Sequence, residues 1–391
     1  MYAFKKKSID ESISELEKWQ STFDISWLLI LKVANQTLAT GDQMIATQER
    51  LPNVTEGLIS QSHPKPEADR AVFLRPDGID MSTASLITFC EARHFTKGSE
   101  SLILDSLTCS STSKISRSLV VKDVKSLAQK LYAHQDPGYG LFKCKGVLKR
   151  DTRDQNEDQL NFTLVFKVPR YLLEPRSMRK MLLRAECPNS LSEVVRIGQE
   201  LAKAVSYIHL LDFVHKKICP ESILLLRHIE KDYLAAYLVG FQKFRKDGGM
   251  TSLLGSSDWP QMLYCHPKRY GQRPEDAYIM QHDIYSLGVC LLEIGLWESL
   301  VRYGESGQLV PSQLIKDYLP SSGMGSIESL KQHLVMLART RLPRRIGSKY
   351  AEIVETCLTC LDDGNADFGD ESEFLDADGV LVGVRYIEKL R

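Results

Sequence analysis

The stretch Ile284-Tyr-Ser-Leu-Gly-Val-Cys-Leu-Leu-Glu-Ile-Gly-Leu296 constrains this chain more than any other. As a helix it is apolar on almost every side, so no placement at a surface would hide it. It is also shorter than the roughly 18 to 20 apolar residues that a bilayer crossing needs. It must therefore be a buried core helix, wrapped by other elements. The material for that wrapping is present, since 43% of the 391 residues are hydrophobic and 26% charged, an ordinary globular mix. Fifty Lys+Arg balance fifty Asp+Glu, which excludes a generally basic nucleic-acid binder and a long acidic tail. No apolar run is long enough to span a membrane, and Lys5-Lys6-Lys7 leads into no apolar stretch, so neither a transmembrane helix nor a secretory signal is expected. The cysteines number nine. That odd, scattered set is no disulfide framework, and a reducing, cytoplasmic setting is the expectation.

The length suits one large domain with an appendage, or two to three small domains. Residues 1–50 read as a helical segment: Ser8 and Glu11 form a capping-box pattern, and Ile9, Ile13, Leu16 and Phe23 recur at helical spacing. A second helical stretch carries Trp27, Leu28, Ile30, Leu31 and Val33. Residues 51–66 are polar and turn-rich, and read as a linker. Over 67–170 the pattern changes to short strands at 72–74, 101–107, 140–148 and 162–168, with a helix at 121–134 and a charged hairpin connection at 150–159. Over 171–391 helices dominate, at 176–185, 192–209, 284–296, 327–337 and 348–361, interrupted by strands at 223–225 and 234–239. The fold class expected is α+β, a small β-rich part followed by a larger helical one.

One segment carries the functional argument: Phe213-Val-His-Lys-Lys-Ile-Cys-Pro-Glu-Ser-Ile-Leu-Leu225. It follows a long amphipathic helix and leads into a short strand. From His215 onward it resembles the catalytic loop of the protein kinase family, H-R-D-L-K-P-E-N-I-L-L. Further on, Tyr237-Leu-Val-Gly-Phe-Gln242 stands where that family carries its D-F-G metal motif, and Tyr264-Cys-His-Pro-Lys-Arg269 where it carries A-P-E. His282-Asp-Ile-Tyr-Ser-Leu-Gly-Val-Cys-Leu-Leu-Glu293 is similar to its buried central helix. The resemblance spans about 67–361 and implies a two-lobed kinase-like fold with an N-terminal helical extension.

The reaction does not follow the fold. Phosphoryl transfer needs a carboxylate to orient the substrate hydroxyl, side chains to hold metal, and a lysine on the phosphates. By resemblance, the base position is Lys217, the loop-lysine position Cys219, the metal-binding asparagine position Ser222 and the metal-binding aspartate position Gly240. A cation at 217 repels Mg²⁺ and accepts no proton at neutral pH, and glycine offers no ligand. No G-x-G-x-x-G occurs: Gly138-Tyr-Gly140 is followed by Lys143 where the third glycine belongs, and reads as a turn between helix and strand. The stretch 101–107, aligned by spacing with the family's lysine strand, has no lysine. Lys114 and Lys149 are the possible stand-ins, without a matching helical glutamate. What remains is structural: Asp283 matches the aspartate that ties the central helix to the loop, and His215 matches the loop histidine that packs near Phe241. His215 lacks a partnered nucleophile and reads as scaffold rather than general base.

Other signals carry less. Cys357-Leu-Thr-Cys360 has metal-like spacing but no second pair, and reads as one core thiol and one bystander. The acidic stretch 362–378 fails both calcium-loop registers, because the glycine and the oxygen donors never fall together. Asn53-Val-Thr55 matches a glycosylation acceptor that matters only on secretion. At the amino end, 8–34 is similar to filamentous-fungal proteins that join a HeLo-type helical domain to a kinase-like one, a family linked to prion-type signalling and incompatibility. That resemblance implies protein partners, met through the N-terminal helices or the lobes, for a catalytically degenerate signalling scaffold or switch with no cofactor expected and no nucleic acid. The alternatives are an atypical active kinase, holding ATP and Mg²⁺ through substitutes such as Ser222, Glu221 or Gln242, and a nucleotide-sensing module.

Overall fold

The structure is a computed structural model and describes residues 72–75, 79–110, 114–133, 139–150, 159–184, 188, 190–246, 259–270, 278–319 and 326–365. The expected N-terminal helices, the linker, the lysine run, Asn53, Gly138 and the acidic stretch beyond 365 lie outside those residues.

The chain is α+β. Its strands are β1 (Phe73–Leu74), β2 (Ser85–Leu86), β3 (Arg93–Lys97), β4 (Glu100–Ser110), β5 (Lys143–Arg150), β6 (Gln159–Lys167), β7 (Leu172–Ser177), β8 (Phe213–Val214), β9 (Ile223–His228), β10 (Leu234–Leu238), β11 (Arg245–Lys246), β12 (Val301–Tyr303) and β13 (Leu309–Pro311). Its helices are α1 (Lys114–Ala133), α2 (Met178–Arg184), α3 (Leu191–Leu210), α4 (Trp259–Met262), α5 (Met280–Leu296), α6 (Ile327–Ile346) and α7 (Ser348–Leu358).

Six strands form one sheet in the order β1-β5-β6-β4-β3-β2, antiparallel except where β1 meets β5. β4 and β6 lie at its centre, and the alternation of side chains along a strand sends their residues to two buried faces. Ile103 and Leu107 face the large core with Val124, Leu127 and Leu131 of α1, while Leu102 and Leu104 join Phe95 and Val165 in a smaller cluster. Smaller sheets, β10-β9-β7 and β11-β8, connect this region to the helices.

Every residue of α5 is buried, as its composition requires. α3, α6 and α7 pack around it. Ser190 caps α3 by accepting a hydrogen bond from Glu193 N–H, which fixes where that helix begins. No helix among the described residues is long and apolar enough to cross a membrane.

Several elements differ from the sequence-based expectation. α1 begins at Lys114 rather than 121. α6 runs past 337 to Ile346, through Pro343. A proline there gives up the bond to the Arg339 carbonyl and crowds it, a cost that falls near the helix's C-terminal end. β3, Arg-His-Phe-Thr-Lys, was not expected as a strand; its pairing with β4 supplies what its polar sequence does not. Gly140 sits in the turn between α1 and β5 with φ +62°, where a Cβ would meet the carbonyl oxygen of Glu200 at 2.5 Å. Glycine is needed there for the close approach of α3, so its role in this structure is a turn.

Candidate functional site

The site is built outward from the first turn of α5. Asp283 is fully buried there, and its carboxylate accepts from the N–H groups of His215 (2.7 Å) and Lys216 (2.9 Å), from Tyr278 Oη (2.7 Å) and from His209 Nε2 (3.1 Å). Burial alone would raise its pKa; the hydrogen bonds from His209 and Tyr278 outweigh that and bring it down to about 2. Lys216 adopts a left-handed φ of +65°, a conformation held by its N–H bond to Asp283.

His215 follows from the same turn. Its Nε2 lies 3.1 Å from Val239 O and its Nδ1 3.3 Å from Lys217 N. A carbonyl only accepts and an N–H only donates, so the ring proton is on Nε2. Burial pushes the pKa down to about 4, leaving the ring neutral. Its edge meets Phe241 with centroids 4.9 Å apart. Both ring nitrogens are committed to the backbone, which gives His215 a positioning role.

Gly240 follows β10 with φ +88°. A Cβ there would stand 2.9 Å from Ser222 Cβ and 4.0 Å from His215 Cε1. The backbone conformation and the crowding both exclude a larger residue. The N–H groups of Gly240 and Phe241 instead point at one carboxylate oxygen, Asp105 Oδ2, at 2.7 and 3.0 Å. Asp105 comes from β4, on the same face as Ile103 and Leu107. It is completely buried, and its second oxygen, Oδ1, has no hydrogen-bond partner. Burial pushes its pKa up to about 6, and the two backbone bonds restrain a larger rise.

Lys217 lies within electrostatic reach of Asp105. Its Nζ donates to Glu91 Oε1 at 2.6 Å and to Gln242 Oε1 at 2.5 Å. Glu91 lies on the turn between β2 and β3. Cys219 and Ser222 close a small loop on themselves: Cys219 N donates to Ser222 Oγ at 3.1 Å, and Ser222 Oγ donates to Cys219 O at 2.9 Å. Burial pushes the Cys219 thiol up to about 12.

Glu221, in the same turn, directs its carboxylate against Arg179 of α2. The guanidinium donates to Glu221 Oε1 (2.9 Å), Glu293 Oε1 (2.9 Å), Ser299 Oγ (2.5 Å) and Tyr264 Oη (2.5 Å), and Tyr264 Oη in turn donates to Glu293 Oε2 at 2.7 Å. Two carboxylates hold this buried arginine in its charged form, its pKa well above the ordinary value. Glu221 is therefore engaged as an ion-pair partner of Arg179 in this structure.

These donors do not fit a divalent cation. Gly240 has no side chain, Ser222 Oγ and Gln242 Oε1 are taken, Glu221 is neutralised by Arg179, and an ammonium, Lys217, stands among them. Among the described residues no group of three or more His, Cys, Asp or Glu is arranged to hold a metal ion. Lys149 is exposed on β5, and Lys114 is the first residue of α1. Cys357 and Cys360 are both buried, and Cys360 Sγ donates to Gln281 O at 3.3 Å. Cys360 is a core residue with a hydrogen bond, not a bystander.

No protein-family model matches the chain, and comparison with curated proteins returns no match.

Asp105, Glu91 and Arg179 were not singled out from the sequence. Asp105 had a signal: it is the only charge in the run Leu102 to Leu107, on the alternation that faces the core. Glu91, in a polar turn, and Arg179, among Arg176, Lys180 and Arg184, had none.

Proposed function

We propose that this chain is a pseudokinase-type module: a two-lobed, protein-kinase-like body with an N-terminal helical extension, acting in the cytoplasm as a signalling scaffold or switch through protein partners. The order of elements supports the reading, with β4 followed by α1, the β5–β6 pair, the 213–222 loop before β9, Gly240 after β10 and α5 buried behind them. The resemblance at 8–34 adds the expectation of a fungal HeLo-associated context, in incompatibility or cell-death signalling.

The observation that carries the non-catalytic part is Gly240. In the resemblance its position belongs to the metal-binding aspartate, yet its φ and the 2.9 Å approach to Ser222 leave no room for a side chain. Its N–H is spent on Asp105, which lies on the strand that spacing aligns with the lysine strand. A lysine, which grips phosphates, is replaced by a carboxylate, which repels them.

The test is a thermal-shift titration with ATP, with and without Mg²⁺ or Mn²⁺, paired with a single-turnover phosphotransfer assay. A bound ligand must stabilise the native state, by about 2.7 kcal/mol at a hundredfold excess over Kd. The expected outcome is no shift at millimolar ATP and no transferred phosphate. A metal-dependent shift with phosphate transfer would refute the proposal and favour the atypical-kinase alternative.

A further inference from the structure

The turn between β2 and β3, residues 87–92, is held across the structure by contacts of different kinds. Thr88 O accepts from Ser177 Oγ at 2.6 Å. The Phe89 ring lies against Tyr303, with centroids 4.4 Å apart. Glu91 accepts from Lys217 Nζ at 2.6 Å. Half-buried Cys90 sits within electrostatic reach of Asp105, Glu91 and Lys217.

The same turn carries marks of an alternative position. Phe89 has φ +57°, the left-handed region that a non-glycine residue occupies only under restraint. Glu91 has a side chain 64% exposed, so its ion pair with Lys217 is of the weak, salt-screened kind. Along its flank lies a cavity of about 360 Å³, lined by Ile87, Thr88, Glu174, Arg176 and Lys180 among others. Ile87 and Ala92 anchor the two ends of the turn in the core, so the cavity gives room to the tip between them.

We propose that the 87–92 turn is an electrostatic latch that Lys217 and Glu91 hold down over Asp105, opening by release of Phe89 from Tyr303. The inference rests on these contacts alone and stands whether or not the kinase-like reading holds. In the closed state Cys90 is shielded: burial pushes its thiol up to about 12, so roughly one part in ten thousand is thiolate at pH 8 and alkylation proceeds through the open state.

The experiment is site-resolved alkylation of the full chain at pH 8, read by mass spectrometry, for wild type, Glu91→Gln, Lys217→Met and the double variant, with melting midpoints alongside. Cys265 is the internal control, a half-buried thiol remote from the turn in sequence and pushed up to about 11 by burial. Glu91→Gln should speed Cys90 labelling about two- to five-fold with Cys265 unchanged, the range expected for an exposed ion pair. The double variant should be no faster than Lys217→Met, and added salt should speed wild type but not Glu91→Gln. Equal Cys90 rates in wild type and Glu91→Gln would overturn the latch. So would parallel acceleration of Cys265 in Glu91→Gln, which would mean general loosening. Should Lys217→Met unfold, the Glu91→Gln arm decides alone.

Discussion

Replacing Asp105 separates two effects that coincide at one carboxylate. Asp105→Asn keeps an oxygen for the N–H groups of Gly240 and Phe241 while removing the charge, whereas Asp105→Ala removes both. Two buried N–H groups left without an acceptor cost about 1–3 kcal/mol each, so the alanine variant should be roughly 2–6 kcal/mol less stable than the asparagine variant at every pH. The charge adds a pH-dependent part. The folded carboxyl titrates near 6 against an ordinary 3.8, so between those values the folded state binds more protons than the unfolded one. Wild-type stability from this group is therefore greatest at low pH and is lost as pH rises through the window, by about 3 kcal/mol in total. Between pH 5 and pH 7.5 the loss is about 1.4 kcal/mol, and Asp105→Asn lacks it.

Urea unfolding followed by tryptophan fluorescence at pH 5, 6 and 7.5 measures this directly, provided m stays constant. Asp105→Asn should gain on wild type by about 1.4 kcal/mol across that range. Its absolute stability also contains the burial of an amide N–H₂ where Oδ1 has no partner, so the pH dependence of the difference is the diagnostic. Parallel pH curves for wild type and Asp105→Asn would refute the buried, raised carboxylate. Equal stabilities of the Ala and Asn variants would refute the role given to the two N–H groups.

Gly240→Ala should cost about 2–4 kcal/mol, from the φ of +88° and from a Cβ 2.9 Å from Ser222 Cβ; in urea titrations a Ser222→Gly background should recover only the crowding share. Gly240→Asp should destabilise at least as much and should leave Mn²⁺ unbound by electron paramagnetic resonance. Arg179→Met should cost about 3–5 kcal/mol by stranding Glu293 in the core, and adding Glu293→Leu should recover part of it, measured by the shift in urea midpoint. Burial pushes His266 down to about 3, so between that value and 6.5 the unfolded state binds the extra proton and stability falls as pH drops. His266→Gln should remove up to about 1.4 kcal/mol per pH unit from the acid side of the stability profile between pH 6.5 and 4.

The parts of this molecule legible in its sequence are those where one local pattern carries the whole constraint. α5 could be placed because an all-apolar helix has only one kind of environment. The loop around His215 could be placed because its residues are contiguous. Asp105 and Gly240 bond across 135 positions of sequence through backbone N–H groups, which every residue but proline possesses, so the pairing leaves no compositional trace. Glu221 shows the same limit from the other side: its partner Arg179 lies 42 residues earlier and leaves no mark beside it in the sequence. The strand Arg93–Lys97 was missed because its pairing partner, not its own alternation, makes it a strand.

A buried donor or acceptor left unpaired costs about 1–3 kcal/mol, and the cluster around Gly240 leaves almost none. Gly240 and Phe241 give their N–H groups to Asp105, His215 gives its Nε2–H to Val239, Lys217 bridges Glu91 and Gln242, and Asp283 is filled by its donors. Among these groups only Asp105 Oδ1 lacks a partner. These bonds tie the parts of the site to one another, so a ligand entering between Asp105 and Lys217 would have to compete with Glu91 and Gln242 for the Lys217 ammonium and with Gly240 and Phe241 for Asp105. A partner that met the outer side of the 87–92 turn would compete first with Glu91 on Lys217, because the Glu91 side chain is 64% exposed and its ion pair is screened by solvent.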